Sequence, residues 1–476
     1  MLGKRPIDGG RFDRIVALRS TKRHPGRARL IRAALIALLS VAAVGCARAP
    51  SSPIPSATAT STQASTSFHT LTPSPTLDPA PTRTPRLTST PLPLVEFVDK
   101  PADSAYQVPL TVQKLTPFEA TIHFELDKPS FGWLLYRPDQ QDFAGWWALP
   151  LAEDETIHQV PLIGLTPGCS YSVQVGLGDD LESLSAPSLL GADWGPINFE
   201  APSIGEPNLR FGVIGDSGFG DDQTRELAER MRSYDLDFVL HTGDTVYKAF
   251  EQSGPAEAFA TKYYKAFGSL LHEVPIFPVL GNHDYDQPAR SDGRPYFLRA
   301  FPLLTDPSVP DSALGSWYAF DRSGIQFIML DSHAFQGAGG RAEQTVWLEE
   351  RLADPQYRFS IPVFHTPPYS SGLHRNDGRA LRADWNPLFE AANAPLVFSG
   401  HDHNYERVVR NGVTYVVSGG GSPVLYGETG RVEGSQAFHR KMHFVLVEID
   451  SDRIELTAID IDGNVLDRAT IPIGSD

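Results

Sequence analysis

Cysteine and basic charge are both scarce in this chain. Its 476 residues include 2 cysteines, and its 41 Lys and Arg residues are outnumbered by 57 Asp and Glu residues, which gives a net charge of −16. Proteins that coat nucleic acids carry basic surfaces, so this balance predicts no nucleic-acid partner. Two cysteines allow one disulfide bond at most, which excludes a small scaffold held together by many disulfides.

Long apolar runs are also missing, apart from one segment near the N-terminus. Residues 1–32 are rich in Arg and Lys, and they are followed by the apolar residues 33–45 and then by Cys46. This stretch is too short to span a bilayer comfortably, and its length is typical of the core of a signal peptide. We therefore predict that residues 1–45 are a signal peptide and that the rest of the chain is exported.

The position of Cys46, directly after Ala43-Val44-Gly45, resembles the processing site of a bacterial lipoprotein. The resemblance implies that Cys46 becomes the lipidated first residue of the mature chain. The protein would then be lipid-anchored to a membrane at the cell envelope or cell surface of a bacterium. In that case Cys169 has no partner for an intramolecular disulfide. An uncleaved amphipathic anchor and a plain secretory signal are the alternatives.

The next two segments differ in composition. Residues 46–94 are dominated by Ser, Thr, Pro and Ala. They predict a disordered stalk, because they bury too little apolar surface to offset chain entropy. Residues 95–203 contain short alternating runs separated by Pro and Gly, such as 120–126, which predict an all-β sandwich. Within it, residues 165–173 resemble the corner that precedes a late strand in fibronectin type III domains, with Tyr171 as the corner tyrosine.

Residues 205–476 alternate between strand-like and helix-like patterns, and five of their apolar runs end in side chains suited to chemistry. In open α/β sheets the carboxyl ends of the strands form the ligand-binding edge. A single end of this kind is common in turns, but five within one domain predict a metal site. The ends are Gly215-Asp216, Gly243-Asp244, Gly281-Asn282-His283-Asp284, His365 and Gly400-His401-Asp402-His403.

With these strand ends, residues 205–476 resemble the calcineurin-like metallophosphoesterases, and within them the purple acid phosphatases. The resemblance implies an α/β fold, a two-sheet α/β/β/α sandwich that follows the all-β domain. It also implies two metal ions, with one carboxylate bridging them. The implied ligands are Asp216, Asp244, Tyr247 and His403 at the first metal, and Asp244, Asn282, His365 and His401 at the second.

One position distinguishes the purple acid phosphatases from many other metallophosphoesterases. Those others have a histidine two residues after the first aspartate, but here that position is Gly218, which has no ligand atom. Tyr247 matches the tyrosine that purple acid phosphatases use instead. A phenolate is a hard anionic ligand, so it favours Fe(III) at the first position. The second position is left open between Fe(II), Zn and Mn.

Three further residues are candidates for catalysis. The resemblance implies that His283 points into the cleft and that Asp284 holds its ring nitrogen. Plant and animal purple acid phosphatases usually have Glu at the position of Asp284. His374 lies nine residues after His365, as does a substrate-facing histidine in plant members, and it is a candidate general acid.

The expected reaction is the binuclear metal-dependent hydrolysis of small phosphate esters. The enzyme would be an acid phosphatase-like phosphomonoesterase in which a metal-bound hydroxide attacks phosphorus. A phosphodiesterase of the same superfamily is one alternative. The other is a surface binding lipoprotein that has lost catalysis and works through its fibronectin-like domain. The sequence leaves the natural substrate and any protein partner open.

Overall fold

The protein is represented by a computed structural model that describes residues 97, 102–139, 145–189, 192–205, 208–248, 254–285, 296–301, 309, 316–336 and 340–474. The predicted signal peptide, the predicted stalk and Cys46 lie outside these residues. Among the described helices, none is both long enough and apolar enough to cross a bilayer.

The N-terminal part is built of antiparallel strands. They are β1 (Tyr106–Leu115), β2 (Glu119–Leu126), β3 (Gly132–Pro138), β4 (Trp147–Pro150), β5 (Ile157–Ile163), β6 (Ser170–Leu177), β7 (Ser188–Leu189), β8 (Ala192–Asp193) and β9 (Ile197–Glu200). One sheet has the order β1-β2-β5, a second has the order β4-β3-β6-β9, and β7 pairs with β8. Buried apolar residues from the two larger sheets belong to one core cluster. The hydroxyl of Tyr171, which lies in β6, accepts a hydrogen bond at 2.8 Å from the backbone N–H of Thr166, which precedes the strand.

Two mixed sheets form the C-terminal part. Their strands are β10 (Leu209–Ile214), β11 (Phe238–His241), β12 (Ile276–Pro278), β13 (Tyr318–Arg322), β14 (Ile325–Met329), β15 (Phe359–Val363), β16 (Leu396–Ser399), β17 (Tyr405–Arg410), β18 (Val413–Ser418), β19 (Ser435–His439), β20 (His443–Ile449), β21 (Arg453–Asp460) and β22 (Val465–Pro472). The six-stranded sheet has the order β12-β11-β10-β20-β21-β22, and the seven-stranded sheet β13-β14-β15-β16-β18-β17-β19. Strands β10 to β12 are parallel, as are β14, β15, β16 and β18.

The two C-terminal sheets pack face to face through aromatic side chains. Phe211 of β10 lies edge-on to Phe327 of β14, with ring centroids 5.4 Å apart. It also meets Phe398 of β16 at 6.4 Å. Because both faces of these central parallel strands are covered, their sequences are nearly continuous apolar runs. The carboxyl ends of β10, β11, β12, β15 and β16 are thereby brought to one region of the domain.

Helices cover the outer faces of both sheets. They are α1 (Asp222–Arg232), α2 (Pro255–Ala258), a π-helical segment (Phe259–Tyr264), α3 (Lys265–Leu271), α4 (Asn282–Tyr285), α5 (Phe297–Ala300), α6 (Ser332–Gln336), α7 (Arg341–Leu352), α8 (Arg379–Asp384) and α9 (Asn386–Ala391). Buried residues of α7 to α9 form a second core cluster with residues of the seven-stranded sheet. The resulting order of layers is helix, sheet, sheet, helix, which agrees with the α/β architecture expected from the sequence.

Buried polar contacts join the N-terminal sheets to the C-terminal part. The Arg299 guanidinium pairs with the buried carboxylate of Glu125, and His123 lies 3.0 Å from the Arg299 carbonyl oxygen. Arg322, at the end of β13, donates a hydrogen bond to the Leu115 carbonyl. A cavity of about 580 Å³ also lies at this interface, and its lining contains none of the predicted metal-site residues.

Candidate metal centre

Three of the predicted ligands sit in strained backbone conformations directly after strands. Asp216 follows β10 with a φ of 58°, Asp244 follows β11 with a φ of 57°, and His401 follows β16 with a φ of 68°. Residues other than glycine rarely adopt this left-handed region, and such strain concentrates at functional sites. The side chains of all three residues take part in the two groups of ligand atoms described next.

The first group of ligand atoms comes from Asp216, Tyr247 and His403. The Tyr247 hydroxyl lies 2.9 Å from His403 Nε2 and 3.3 Å from Asp216 Oδ1. His403 Nε2 lies 3.5 Å from the same Asp216 oxygen. On the other side of the imidazole, Nδ1 donates a hydrogen bond to the Val424 carbonyl at 2.5 Å. That bond directs Nε2 towards the group, as is usual for a histidine that binds a metal.

The second group comes from Asp244, Asn282, His365 and His401. His365 Nε2 lies 3.4 Å from Asp244 Oδ2, 3.1 Å from Asn282 Oδ1 and 3.2 Å from His401 Nδ1. Asp244, His365 and His401 together form one of the two carboxylate and imidazole groups among the described residues that are close enough to hold an ion. His365 Nδ1 donates to the Thr242 carbonyl at 2.8 Å, which leaves Nε2 facing the group.

These spacings fit metal coordination. With metal–ligand bonds of about 2.0–2.2 Å, neighbouring ligand atoms lie about 2.8–3.1 Å apart in an octahedral site and about 3.3–3.6 Å apart in a tetrahedral site. The separations in both groups run from 2.9 to 3.5 Å and join atoms that act mostly as lone-pair donors. The chain therefore offers two donor sets whose spacing fits metal ions.

The electrostatics of the cluster favour a cation. Burial alone would lower the pKa of His365, but Asp244 and Asp216 outweigh it and raise that pKa to about 10. A negative potential that holds a proton on a buried imidazole also attracts a metal ion. Burial, followed by the nearby carboxylates of Asp216 and Asp244, raises the pKa of Tyr247 well above its ordinary value. A phenolate at Tyr247 therefore requires a strong cationic partner.

Gly218 leaves no room for the histidine that many metallophosphoesterases carry at that position. A Cβ atom at Gly218 would lie 2.5 Å from the Tyr247 backbone nitrogen and 2.8 Å from the carbonyl carbon of Val246. The Gly218 carbonyl in turn accepts a hydrogen bond from the Tyr247 N–H at 2.9 Å. The glycine thus allows the close approach that brings the Tyr247 ring to the first group.

Asp284 has a role that differs from the expected one. Its carboxylate is fully buried and accepts hydrogen bonds from the backbone N–H groups of Gly281 at 2.9 Å, Asp244 at 3.0 Å and Thr245 at 3.1 Å. The Thr245 hydroxyl donates to it as well. These contacts direct Asp284 to the loop that carries Asp244, so its observed partners position a metal ligand and not the ring of His283.

The candidate catalytic histidines lie on two sides of the cluster. His283 donates its backbone N–H to Asp244 Oδ1 at 2.9 Å, and its ring stands edge-on to Tyr247 with centroids 4.8 Å apart. His374 stands over His401 with ring centroids 4.3 Å apart. The structure therefore brings both histidines to the cluster, with His283 beside the first group and His374 beside the second.

A carboxylate that the sequence analysis missed links two of these histidines. Asp377 Oδ2 lies 3.0 Å from His374 Nδ1 and 3.1 Å from His401 Nε2. Burial alone would raise the pKa of Asp377, but hydrogen bonds from His401 and His374 outweigh it and lower that pKa. The contact leaves His401 Nδ1 to face His365 in the second group, and it leaves His374 Nε2 unused by Asp377. Asp377 belongs to no strand end and to no recognisable motif, so no sequence signal pointed to it.

Comparisons with known proteins agree with this geometry. Residues 209–405 match the family model described as calcineurin-like phosphoesterase. Purple acid phosphatase 21 of Arabidopsis thaliana is 27% identical over 259 residues, which cover 53% of this chain and 53% of the relative. Purple acid phosphatase 1 of Ipomoea batatas is 29% identical over 266 residues, which cover 53% and 52%. The chain thus spans about half the length of these two relatives.

A solved structure shares the fold. The purple acid phosphatase from seeds of yellow lupin, Lupinus luteus, superposes with a TM-score of 0.61 and 18% sequence identity. The superposition covers 78% of this chain and 74% of the lupin chain. At this level of identity the likeness concerns the fold alone.

Proposed function

We propose that this chain hydrolyses phosphate esters with two bound metal ions, because residues 209–405 match the calcineurin-like phosphoesterase family model and purple acid phosphatases are among its relatives. The observation that carries the proposal is the pair of ligand groups at coordination spacing, one around Tyr247 and His403 and the other around His365. The family match and the relatives support a hydrolase acting on phosphoric esters. A small phosphomonoester is the proposed substrate class, with a phosphodiester as the alternative.

The metal assignment follows from the donor atoms. Asp216, Tyr247 and His403 would hold the first metal, and Asn282, His365 and His401 the second, with Asp244 bridging them. When bound, two such ions supply Lewis acidity and lower the pKa of a water molecule. Hard anionic oxygens predominate in the first set, which favours Fe(III) there, whereas the second set suits Fe(II), Zn or Mn.

Protein groups would orient the ester and manage protons. His283 and His374 stand on opposite sides of the cluster and would donate hydrogen bonds to phosphoryl or leaving-group oxygens. Asp377 fixes His374 through Nδ1, so Nε2 would protonate the leaving oxygen. The strained turns at Asp216, Asp244 and His401 hold the ligands in place before substrate arrives.

The test is hydrolysis by metal-loaded protein of a panel of aryl phosphate monoesters and diesters across a broad pH range. Asp244→Asn should lower turnover by more than about 100-fold and reduce the bound metal, because it removes the bridging anion. Asp462→Asn is the control, since Asp462 is an exposed carboxylate on the turn between β21 and β22 and belongs to neither ligand group. A wild-type protein that carries metal but hydrolyses no ester at any pH would contradict the proposal and favour a surface binding protein.

We also propose that the N-terminal sheets are a fibronectin type III-like domain and that the chain is a lipid-anchored, exported protein. The strand orders β1-β2-β5 and β4-β3-β6-β9 and the hydrogen bond at Tyr171 support the first part. The sequence around Cys46 supports the second part, although it lies outside the described residues. The N-terminal end of the chain would then be attached to a membrane, and the C-terminal part would bind a small phosphorylated molecule.

A further inference from the structure

The loop between β18 and β19, residues 419–434, lies against the metal cluster. The Tyr426 N–H donates to the His403 carbonyl at 2.9 Å, and the Thr429 N–H donates to the Ser371 carbonyl at 2.8 Å. The Val432 N–H donates to the Ser371 hydroxyl at 2.9 Å. These bonds attach the loop to His403, which follows β16, and to Ser371, which lies in the segment that carries His374.

The ring of Tyr426 occupies a defined place within this arrangement. It stacks on the imidazole of His403, with ring centroids 4.3 Å apart and an interplanar angle of 16°. Its centroid is also 5.5 Å from that of His374, which in turn stands over His401. His403 and His401 thus each carry a second ring on their outer side, and the two outer rings are Tyr426 and His374.

The hydroxyl of Tyr426 has no hydrogen-bond partner among the described residues, and the side chain is half-buried beside the cluster. The stack of its ring on His403 places the side chain beside the first ligand group. A fixed donor with no protein acceptor, next to a cleft that would take a phosphoryl group, is a typical substrate-binding element.

We propose that Tyr426 contacts the substrate and that its hydroxyl donates a hydrogen bond to a phosphoryl oxygen on the first-metal side of the cleft. The proposal rests on the proposed function, because it assigns Tyr426 to the same site. Tyr426 would complement His374, since the two donors approach the phosphoryl group from above the first and second ligand groups respectively. A purely structural role would consist of the ring holding the His403 imidazole in place.

The experiment separates the hydroxyl from the ring. Tyr426→Phe keeps the stack on His403 and removes only the donor. Inorganic phosphate should bind metal-loaded Tyr426→Phe about 10-fold or more weakly than wild type by titration calorimetry, since a hydrogen bond to a charged acceptor is lost. Metal content should be unchanged. Tyr415→Phe is the matched control, because the buried Tyr415 hydroxyl also has no partner among the described residues, and its ring packs against Tyr369 in the second core cluster.

Each outcome bears on the proposal. Unchanged phosphate affinity in Tyr426→Phe overturns it, as does a wild-type protein that carries both metals yet binds no phosphate. Metal loss in Tyr426→Leu together with normal phosphate binding in Tyr426→Phe assigns the ring a structural role and also overturns it. If wild type binds phosphate but hydrolyses no ester, while Tyr426→Phe binds more weakly, the contact stands and the proposed function fails.

Discussion

Tyr247 determines whether the first metal of the proposed site carries a phenolate. Its hydroxyl lies 2.9 Å from His403 Nε2 and 3.3 Å from Asp216 Oδ1, within one set of ligand atoms. We expect the protein as isolated to absorb visible light through an Fe(III)–phenolate pair. Tyr247→Phe should abolish the band while the fold survives, because it removes one hydroxyl and keeps the ring against Phe219 and His283. Absorption spectra and metal analysis of the two proteins measure this.

Two results would contradict the assignment of Tyr247. The first is a visible band that persists in Tyr247→Phe at unchanged metal content. The second is a wild-type protein that contains iron and is colourless when oxidised. Tyr415→Phe should keep the band, which controls for effects of removing a buried hydroxyl elsewhere in the domain.

Most candidate ligand residues could be proposed from the sequence because they follow short apolar runs, whereas Tyr247 was proposed only from the resemblance to the purple acid phosphatases. Asp377 and Tyr426 were not predictable, because they lie in loops without periodicity and reach the cluster only through tertiary folding. Asp284 shows that adjacency in sequence does not predict the partner of a side chain. Its neighbour in sequence is His283, but the turn of α4 directs its carboxylate to the backbone of Asp244 and Thr245.

The carboxylate of Asp402, in the connection between β16 and β17, holds the segment 370–378, which carries His374. Asp402 is fully buried and accepts hydrogen bonds from the His374 N–H at 3.0 Å and from the Ser370 hydroxyl. Asp402→Ala leaves both donors unsatisfied, so the free energy of unfolding should fall by about 1–3 kcal/mol. Chemical denaturation measures this change, with Asp462→Ala as an exposed control. A fall no larger than that of the control would show that other contacts hold the segment.

Local sequence signals account for some elements and not for others. Helix α1 has a strong signal, because Asp221 caps it by accepting hydrogen bonds from the N–H groups of Gln223 and Thr224. The helical region 255–271 contains the π-helical turn Phe259–Tyr264, which no local pattern indicates. Strands β17, β19 and β22 have a weak signal, because they are partly exposed and lack continuous apolar runs.

Low pH should lower the free energy of unfolding through a histidine that is buried between the N-terminal sheets and the C-terminal part. His123 is buried there, 3.0 Å from the Arg299 carbonyl oxygen, and burial lowers its pKa to about 4. An unfolded histidine has a pKa of about 6.5, so between these values the unfolded chain binds more protons and stability falls as pH falls. Lowering the pH from 7 to 5 should cost about 2 kcal/mol through this group. Urea titrations should show a smaller loss for His123→Gln, and an equal loss in both proteins would exclude His123 as the cause.

The attachment of the molecule to a membrane depends, in our proposal, on one sulfur atom. Cys46 would carry lipid, so Cys46→Ser should move the protein from the membrane fraction to the soluble fraction without changing phosphate binding. Intact-mass analysis should find a wild-type chain that starts at Cys46 with acyl groups. An unmodified chain that keeps residues 1–45 contradicts the proposal. So does a Cys46–Cys169 disulfide, because a sulfur in a disulfide cannot also carry a thioether-linked lipid.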